Sequence, residues 1–456
     1  MRSRLAHALL CTGLCAACGA GEGADPALAP GANVVLIVVD TLRADHLGGW
    51  GAERATSPRI DALARESLVV DTMVAQAPWT KPSMASLFTS LYPGQHGTVE
   101  ETTENHLAVS LVTLAECFQQ AGYVTVGFSE NPHISPSTAF DQGFDQLSTL
   151  SGFVGDREWV VESARAGLDA IEARRGERPF FLYLHFLDPH GPYQPKGPWR
   201  EEFLAGRQTQ RAEVRQGLVG RLVEGARPTA PIAEEDVDYL RALYDAEIRE
   251  TDLALAQVLA DLEGRGLLED AVVVLTSDHG EEFLEHGTLK HGYQLFEESL
   301  RVPLVLRVPG ATPRREAQAV AQHIDLAPTL LELVGLPVPS VFQGRSLVPL
   351  VRGEPLEETV VVSATAWRGI DLVCARKGRW KLIVDRADGS EQLFDLVEDP
   401  GETRDLLHGQ EAIAGMLRAA IERAETPPAG VTLSGLEGQG DPDAERALKA
   451  LGYFGK

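Results

Sequence analysis

The stretch Val34-Val35-Leu36-Ile37-Val38-Val39-Asp40 is an unbroken apolar run that ends on a carboxylate. Two more runs have the same form: residues 180–184 lead into His185, and residues 272–275 lead to Asp278. Unbroken apolar strands are typical of a parallel sheet covered on both faces, and such sheets bind ligands beyond the carboxyl ends of their strands. We therefore expect the polar residues that follow these strands to meet in one site.

Composition limits the kind of partner. The chain has 456 residues, 44% of them apolar, and a formal net charge of −25. This length predicts one large domain with a smaller one. The negative charge argues against a nucleic-acid partner and would repel an anionic substrate at long range. An anion site in this chain therefore needs a local positive charge, which a metal ion would supply.

The N-terminus has the features of an export signal. Two arginines precede a short apolar stretch, residues 5–14, which is too short to span a bilayer. Residues 1–18 resemble a lipoprotein signal peptide that ends at Cys18, and residues 19–31 form a Gly/Ala/Pro-rich, flexible tether. We expect an exported protein that faces the periplasm or cell exterior and contacts the membrane only through a lipid anchor. Ordinary secretion is the alternative.

The remaining chain divides into two parts. Apolar strands that alternate with amphipathic helices predict an α/β domain over residues 32–352. Residues 200–231 show weak periodicity and are interpreted as an insertion or lid. From 353 to 456 the pattern changes to short strands followed by two helices, which predicts a smaller α+β subdomain. Helical periodicity within the first domain is seen in residues 58–67, 111–121, 156–174 and 235–264.

Residues 80–90 have the form of a helix start, with Thr80 first, Pro82 early, and a Tyr-Pro-Gly stop after the segment. The simplest interpretation is that Thr80 is a routine helix N-cap. A helix N-terminus also presents free N–H groups and partial positive charge. A hydroxyl at this place, beside a metal held by strand ends, is well placed to attack phosphorus or sulfur.

Eight segments along the chain carry recognisable motifs: residues 38–45, 79–93, 185–193, 277–281, 290–303, 325–329, 381–383 and 393–396. Taken in this order, they resemble the sulfatase family of the alkaline-phosphatase superfamily. The resemblance covers nearly all of the chain after the signal. It implies a catalytic domain with a large, mostly parallel sheet between helices, and a metal-dependent hydrolase that acts on small or glycan- or lipid-linked anionic esters.

The chain departs from this family at the nucleophile. Family sulfatases carry a Cys or Ser at the position of Thr80, which is oxidised to a formylglycine aldehyde. Threonine cannot give that aldehyde, because its Cβ already bears a methyl group. Alkaline-phosphatase-like enzymes use an unmodified Ser or Thr, so the resemblance implies Thr80 as an unmodified nucleophile. Met84 stands where sulfatases place an arginine, so one cationic stabiliser is missing.

The metal ligands also depart from the family pattern. Sulfatases hold calcium with two successive acids on the first strand and an Asp-Asn pair on a late strand, an all-oxygen set. Here Thr41 follows Asp40, and His279 follows Asp278. The implied ligands are Asp40, Asp278, His279 and the Thr80 oxygen. This mixed set favours one zinc or manganese ion, with calcium as the alternative, and the ion would lower the pKa of the Thr80 hydroxyl.

Further histidines are assigned by family analogy. His190 and one of Lys290 and His291 would contact the transferred group and assist the leaving group. His185 is interpreted as a packed or outer histidine rather than a ligand. His286 and His291 could complete a second metal site, but the sequence favours a single metal.

Three functions stay open. The first is a hydrolase of phosphate mono- or diesters, or a phosphotransferase, favoured by the nucleophile that cannot be oxidised. The second is a genuine sulfuric ester hydrolase, favoured by the overall resemblance. The third is an inactive surface lipoprotein that binds an anionic glycan, favoured by the changes at Thr80, Thr41 and Met84. The retained Asp40 and Asp278 speak against the third, because a silent cleft has no need of a metal-ligand set.

Overall fold

The structure is a computed structural model that describes residues 27–149, 157–451 and 453. The predicted signal peptide, residues 1–18, lies outside this part of the chain. Export and lipid anchoring therefore stay predictions. None of the helices in the described part is long and apolar enough to cross a membrane.

The end of the predicted tether is attached to the main domain. The Ala29 N–H donates a hydrogen bond to the Leu333 carbonyl at 2.9 Å, and the Gly31 N–H donates to the Val334 carbonyl at 3.0 Å. Ala29 is also buried. These last residues of the segment are therefore held by backbone hydrogen bonds rather than free.

An eight-stranded, mostly parallel sheet forms the centre of the larger domain, as the sequence predicts. In chain order the strands of the protein are β1 (Asn33–Val39), β2 (Leu68–Val74), β3 (Val124–Ser129), β4 (Gln146–Thr149), β5 (Phe180–Phe186), β6 (Val223–Glu224), β7 (Arg227–Pro228), β8 (Ala271–Thr276), β9 (Glu282–Phe283), β10 (Leu289–Lys290), β11 (Arg301–Arg307), β12 (Arg314–Gln322), β13 (Val361–Trp367), β14 (Ile370–Lys377), β15 (Trp380–Asp385) and β16 (Glu391–Asp395). The large sheet has the order β12-β2-β11-β8-β1-β5-β3-β4, and only β11 in it runs antiparallel to its neighbours.

Helices cover both faces of this sheet. In chain order they are α1 (Pro58–Arg65), α2 (Thr80–Thr89), α3 (Pro93–His96), α4 (Leu114–Gln120), α5 (Arg157–Arg175), α6 (Trp199–Phe203), α7 (Ala212–Arg215), α8 (Glu234–Gly264), α9 (Glu297–Leu300), α10 (Leu326–Leu333), α11 (Val348–Arg352), α12 (Glu411–Glu425) and α13 (Pro442–Ala450). Alternate residues of β1 belong to opposite cores: Leu36 packs with α2, α4 and α10, whereas Ile37 packs with α5 and α8. This two-sided burial explains why β1 is apolar without a break.

The strand register brings the polar strand ends together. Val38 of β1 pairs with His185 of β5 on one side and with Thr276 of β8 on the other, both in parallel. Asp40 and Asp278 each follow two residues after these paired positions. The three strands therefore deliver Asp40, His185 and Asp278 to the same edge of the sheet, where ligands bind in this class of fold.

One predicted helix begins later than expected. Periodicity predicts a helix over residues 111–121, but α4 starts at Leu114. The Thr113 hydroxyl accepts a hydrogen bond from the Glu116 N–H at 3.1 Å, and the Glu116 carboxylate accepts one from the Thr113 N–H at 2.9 Å. This reciprocal capping box fixes the start of the helix, and it is visible in the sequence as Thr-x-x-Glu.

The interpreted insertion, residues 200–231, is not featureless. It contains most of α6, all of α7 and the short β6–β7 hairpin, and α6 and α7 pack on the long helix α8. Residues 218–221 of this segment line a cavity beside the strand ends.

A second sheet follows α11, in agreement with the predicted α+β subdomain. Strands β13 to β16 form an antiparallel meander, and α12 packs over it through side chains of both elements. Helix α11, which ends at residue 352, is the last helix before this sheet. The last helix, α13, lies instead against the larger domain, where Asp441 N–H donates to the Thr103 hydroxyl at 3.0 Å.

A buried ion-pair network joins the two sheets. Lys381 of β15 places its Nζ 3.1 Å from Glu297 and 2.9 Å from Glu402, and Arg376 of β14 contacts Glu297 at 2.6 Å. Burial alone would raise the pKa of Glu297, but the charges of Arg376 and Lys381 outweigh it and hold the pKa at about 2. The folded state therefore favours the ionised form of Glu297, and the ionised form in turn stabilises the folded state.

Replacing Glu297 with Gln is expected to reduce the free energy of unfolding at pH 7 by about 3 kcal/mol, because buried cations lose their partner. Since the folded pKa lies below the ordinary value of 4.5, the contribution of Glu297 is complete above pH 4.5 and is lost as the pH falls toward 2. Urea unfolding of Glu297→Gln at several pH values measures this. The exposed Glu398→Gln variant is the control. A constant difference at every pH would contradict the assignment.

Candidate active site

Three buried side chains meet where β1, β5 and β8 end. The His185 Nε2 lies 3.7 Å from Asp40 Oδ2 and 4.0 Å from Asp278 Oδ2, and all three side chains are fully buried. Each residue can offer one ligand atom to a common point. The structure therefore places His185 among the candidate ligands, whereas the sequence analysis interprets it as a packed or outer histidine.

The free atoms of this cluster fit a cation. Asp40 Oδ1, Asp278 Oδ2 and His185 Nε2 have no hydrogen-bond partner among the described residues, although buried polar atoms are normally paired. Burial raises the pKa of Asp40 well above its ordinary value, and the negative charge of Asp278 raises it further. Burial acts on Asp278 in the same way, but His279 and His185 outweigh it and lower its pKa. A divalent cation would relieve both the repulsion and the missing contacts.

His279 also faces the cluster. Its Nε2 is 3.3 Å from Asp278 Oδ2 and 3.7 Å from Asp40 Oδ1. Its Nδ1 lies 2.8 Å from the Gly280 carbonyl, which can only accept, so Nδ1 carries the hydrogen. The lone pair of Nε2 is thereby aimed at the carboxylates, the arrangement in which a histidine binds a metal.

Thr80 is the first residue of α2, but it is not the cap. The N-cap is Trp79, and the Thr80 hydroxyl turns toward the cluster. Thr80 Oγ1 lies 3.4 Å from His279 Nε2 and 3.5 Å from Asp40 Oδ2. The routine capping interpretation therefore does not apply. The hydroxyl stands at the positive end of the helix and beside the proposed metal ligands.

Asn131 is a contact that the sequence analysis missed. Its Nδ2 donates to Asp40 Oδ2 at 2.7 Å and to Thr80 Oγ1 at 3.1 Å, so it holds the two groups together. Asn131 comes two residues after β3, which neighbours β5 in the sheet. Its position after a strand end is the sequence signal for Asn131, but β3 is less apolar than β1, β5 and β8 and gives that signal weakly.

Thr41, the position for which the resemblance implies a second acid, contacts Asp278 through its backbone. Its φ of +55° lies in the left-handed region, which costs a β-branched residue about 1–3 kcal/mol. In this conformation its N–H donates to Asp278 Oδ1 at 3.1 Å. The strained backbone of Thr41 thus places an N–H that orients Asp278 through Oδ1, and Oδ2 of that carboxylate has no hydrogen-bond partner among the described residues.

The remaining predicted site residues lie beyond Thr80. The ring of His291 is 4.5 Å from that of His279 and 4.9 Å from that of His190. His190 Nδ1 donates to the Gly191 carbonyl at 2.7 Å, and burial lowers the pKa of His190 to about 3. Burial also lowers the pKa of Lys290. His190, Lys290 and His291 line one cavity of about 310 Å³.

Glu281 is a second residue missed as a site candidate. It follows the Asp278-His279-Gly280 motif and accepts a hydrogen bond from the Tyr193 hydroxyl at 2.9 Å. Its other oxygen is 3.0 Å from His291 Nδ1, and Glu281 lines the same cavity. Glu281 therefore orients His291, a role that no sequence spacing predicts.

His286 does not join His291 in a second site. His286 Nε2 lies 3.3 Å from Glu298, in a group with Glu402 that could itself hold a cation. Lys381 already places an ammonium 2.9 Å from Glu402. His286 thus belongs to the junction of the two sheets, whereas His291 is paired with Glu281.

Comparison with known proteins identifies the family. A model of the sulfatase family matches residues 32–336, and one described as the C-terminal region of N-sulphoglucosamine sulphohydrolase matches residues 285–425. The chain is 28% identical over 404 residues to the multifunctional alkaline phosphatase superfamily protein PehA of Trinickia caryophylli, covering 71% of this chain and 78% of PehA. It is 24% identical over 432 residues to a choline-sulfatase of Rhizobium meliloti, covering 82% of each.

Solved structures show the same fold. The phosphonate monoester hydrolase of Agrobacterium radiobacter aligns with a TM-score of 0.70 at 22% identity, covering 86% of this chain and 94% of that one. A protein solved with its substrate D-glucosamine-2-N,6-O-disulfate aligns with a TM-score of 0.73 at 20% identity, covering 86% and 97%. With the sulfatase model matched over more than half of its length, the chain belongs to the sulfatase family of ester hydrolases.

Proposed function

We propose that this protein hydrolyses phosphate mono- or diesters, or transfers their phosphoryl group, through Thr80 as an unmodified nucleophile. The observation that carries the proposal is the position of Thr80 Oγ1, at 3.4 Å from His279 Nε2 and 3.5 Å from Asp40 Oδ2. A threonine cannot form the aldehyde on which the formylglycine mechanism depends. Two similarities support phosphorus chemistry. PehA is described as a multifunctional protein of the alkaline phosphatase superfamily, and a phosphonate monoester hydrolase shares the fold.

The chain supplies the groups for an attack and a release. The Thr80 hydroxyl is directed at Asp40 Oδ2, which takes the proton as Oγ1 bonds to phosphorus and the bond to the leaving oxygen breaks. Water then attacks phosphorus, the bond from phosphorus to Oγ1 breaks, and the proton held by Asp40 returns to Oγ1, which restores Thr80. Because burial keeps His190 neutral and its Nδ1 donates to Gly191, Nε2 is the ring nitrogen that can accept the proton of that water. Lys290 and His291 line the space for the transferred group and the leaving group.

We further propose one resident divalent ion, held by Asp40, Asp278, His279 and Thr80, with His185 as an additional ligand. The mixed nitrogen and oxygen set favours zinc or manganese, with calcium as the alternative. The ion would lower the pKa of the Thr80 hydroxyl and offset negative charge on the transferred group. This site is supported by three buried atoms that have no hydrogen-bond partner among the described residues: Asp40 Oδ1, Asp278 Oδ2 and His185 Nε2.

Sulfate ester hydrolysis is the second candidate. The choline-sulfatase similarity and the match to the C-terminal region of N-sulphoglucosamine sulphohydrolase favour it. A sulfate ester on Thr80 has no aldehyde-forming exit, so water must attack sulfur to release it. The missing arginine is also not replaced locally, because Met84 is buried in the core and Lys81 donates to the carbonyls of Glu100 and Thr102.

The predicted exported location belongs to the same proposal. Hydrolysis of anionic esters outside the cytoplasm suits an enzyme that draws substrate from the periplasm or the medium. The support for it is the N-terminal composition alone, as given above.

Replacing Thr80 with Ala is expected to reduce kcat/KM for an aryl phosphate about a thousandfold or more, because the nucleophile is lost. Thr89→Ala, which removes a buried threonine at the other end of α2, should keep the wild-type rate. Paired aryl phosphate, phosphodiester and sulfate substrates show which ester is used. Intact-mass analysis after a short substrate pulse should find the adduct on Thr80 and no oxidation there. Full activity in Thr80→Ala, with sulfate esters turned over fastest, would refute the mechanism.

Elemental analysis of the purified protein is expected to find close to one zinc or manganese per chain. Asp278→Asn should lose that metal because it removes a charged ligand from the centre of the site. Asp270→Asn, which alters an exposed acid shortly before β8, should retain it. Calcium in the same amount would correct the choice of ion, and equal metal content in Asp278→Asn and wild type would exclude this ligand set.

A further inference from the structure

The C-terminal segment, defined as residues 441–451 together with Tyr453, covers the active site. Leu448, Leu451 and Tyr453 pack in one cluster with Trp79, Leu187 and Trp367. Leu448 is the only buried residue of α13. The segment is thus held mainly by three apolar side chains that reach into the site.

Tyr453 occupies the space next to the reacting groups. Its ring is perpendicular to that of His133, with centroids 4.7 Å apart, and nearly parallel to that of His190 at 5.8 Å. Its hydroxyl donates to His190 Nε2 at 3.4 Å, since Nδ1 of that ring already donates to Gly191. Burial raises the pKa of Tyr453 well above its ordinary value, and the nearby charge of Asp40 adds to this while a hydrogen bond with Thr80 opposes it. A phenol oxygen thus stands beside both the nucleophile and His190.

Unpaired polar atoms surround this ring. Trp79 Nε1, Trp367 Nε1 and both nitrogens of His133 are buried and have no hydrogen-bond partner within the described part of the chain. Each such group costs about 1–3 kcal/mol. The hydrocarbon ring of Tyr453 cannot pair with them, whereas an aromatic ligand with polar substituents can.

Tyr453 is buried together with the reacting groups. Thr80, Asp40, Asp278 and His279 are fully buried. The cavity of about 310 Å³ is lined by His190, Lys290, His291 and residues 449–451, but not by Thr80. The ring of Tyr453 packs against two residues of this lining, with centroids 5.8 Å from His190 and 6.2 Å from His291.

We propose that Tyr453 occupies a subsite for the aromatic leaving group of an aryl ester, and that the C-terminal segment is a lid that withdraws this ring when substrate enters. The inference rests on the proposed attack by Thr80, because a phenol released from an aryl ester would leave its oxygen beside Thr80 and His190. It narrows the substrate class to esters of phenols that carry hydrogen-bonding substituents.

Binding of 4-nitrophenol, measured by calorimetry without any ester present, tests the subsite. Tyr453→Ala is expected to bind it about tenfold more tightly than wild type, because the competing ring is gone. Tyr453→Phe, which keeps the ring, should bind it like wild type. Arg446→Ala, on the exposed side of α13, is the matched control and should also bind like wild type. Cyclohexanol and glucose should not bind to Tyr453→Ala.

A second variant loosens the lid and keeps the ring. Thr103→Ala removes the hydroxyl that accepts from the Asp441 N–H at 3.0 Å. It should raise the affinity for 4-nitrophenol a few-fold, which preserves the test if Tyr453→Ala folds poorly.

Equal affinity of wild type and Tyr453→Ala for the phenol, or a preference of Tyr453→Ala for glucose, would overturn the inference. So would loss of hydrolysis in Tyr453→Phe to the level of Thr80→Ala, since the phenol would then serve the chemistry directly. Phenol binding involves no turnover, so a result without the predicted gain in affinity would argue against the lid and subsite alone. Full hydrolysis by Thr80→Ala bears on the proposed function alone.

Discussion

Two carboxylates buried side by side at the ends of neighbouring parallel strands are the constraint on which the site depends. Asp40 and Asp278 are both fully buried, and their mutual repulsion helps to raise the pKa of Asp40. The fold cannot separate them, because β1 and β8 are in fixed parallel register. His279 and His185 approach from the same edge of the sheet, and each leaves a ring nitrogen toward the carboxylates. A cation is the simplest counterpart to this arrangement.

Neighbouring side chains hold the hydroxyl of Thr80 beside the acidic cluster. Thr80 begins α2, and Asn131 links its hydroxyl to Asp40. Met84 of the same helix is a core side chain and contributes no cation to the site. In the proposed mechanism, the resident ion and Lys290, which lines the cavity, would supply the positive charge for a sulfate or phosphate group.

The C-terminal region shapes the pocket as well as the subdomain. Trp367 of β13 stacks on Trp79 with centroids 5.5 Å apart, which brings the second sheet to the nucleophile's helix. Gly292, at φ +93°, makes this approach feasible, because a Cβ there would overlap the Trp367 ring. Tyr453 completes the same aromatic group from the far end of the chain. Segments outside the large sheet therefore pack beside the first residues of α2.

The sequence by itself determined the central strands β1, β5 and β8 and the helix that begins at Thr80, because apolar runs and helix-start signals are local. It also gave the acids Asp40 and Asp278, which follow two of these strands. Only the tertiary structure decided that His185 joins the ligands, that Asn131 bridges Asp40 and Thr80, and that Tyr453 fills the site. Asn131 is 91 positions from Asp40, and Tyr453 is 263 positions from His190. Contacts over such separations arise from strand order and packing, which no local pattern encodes.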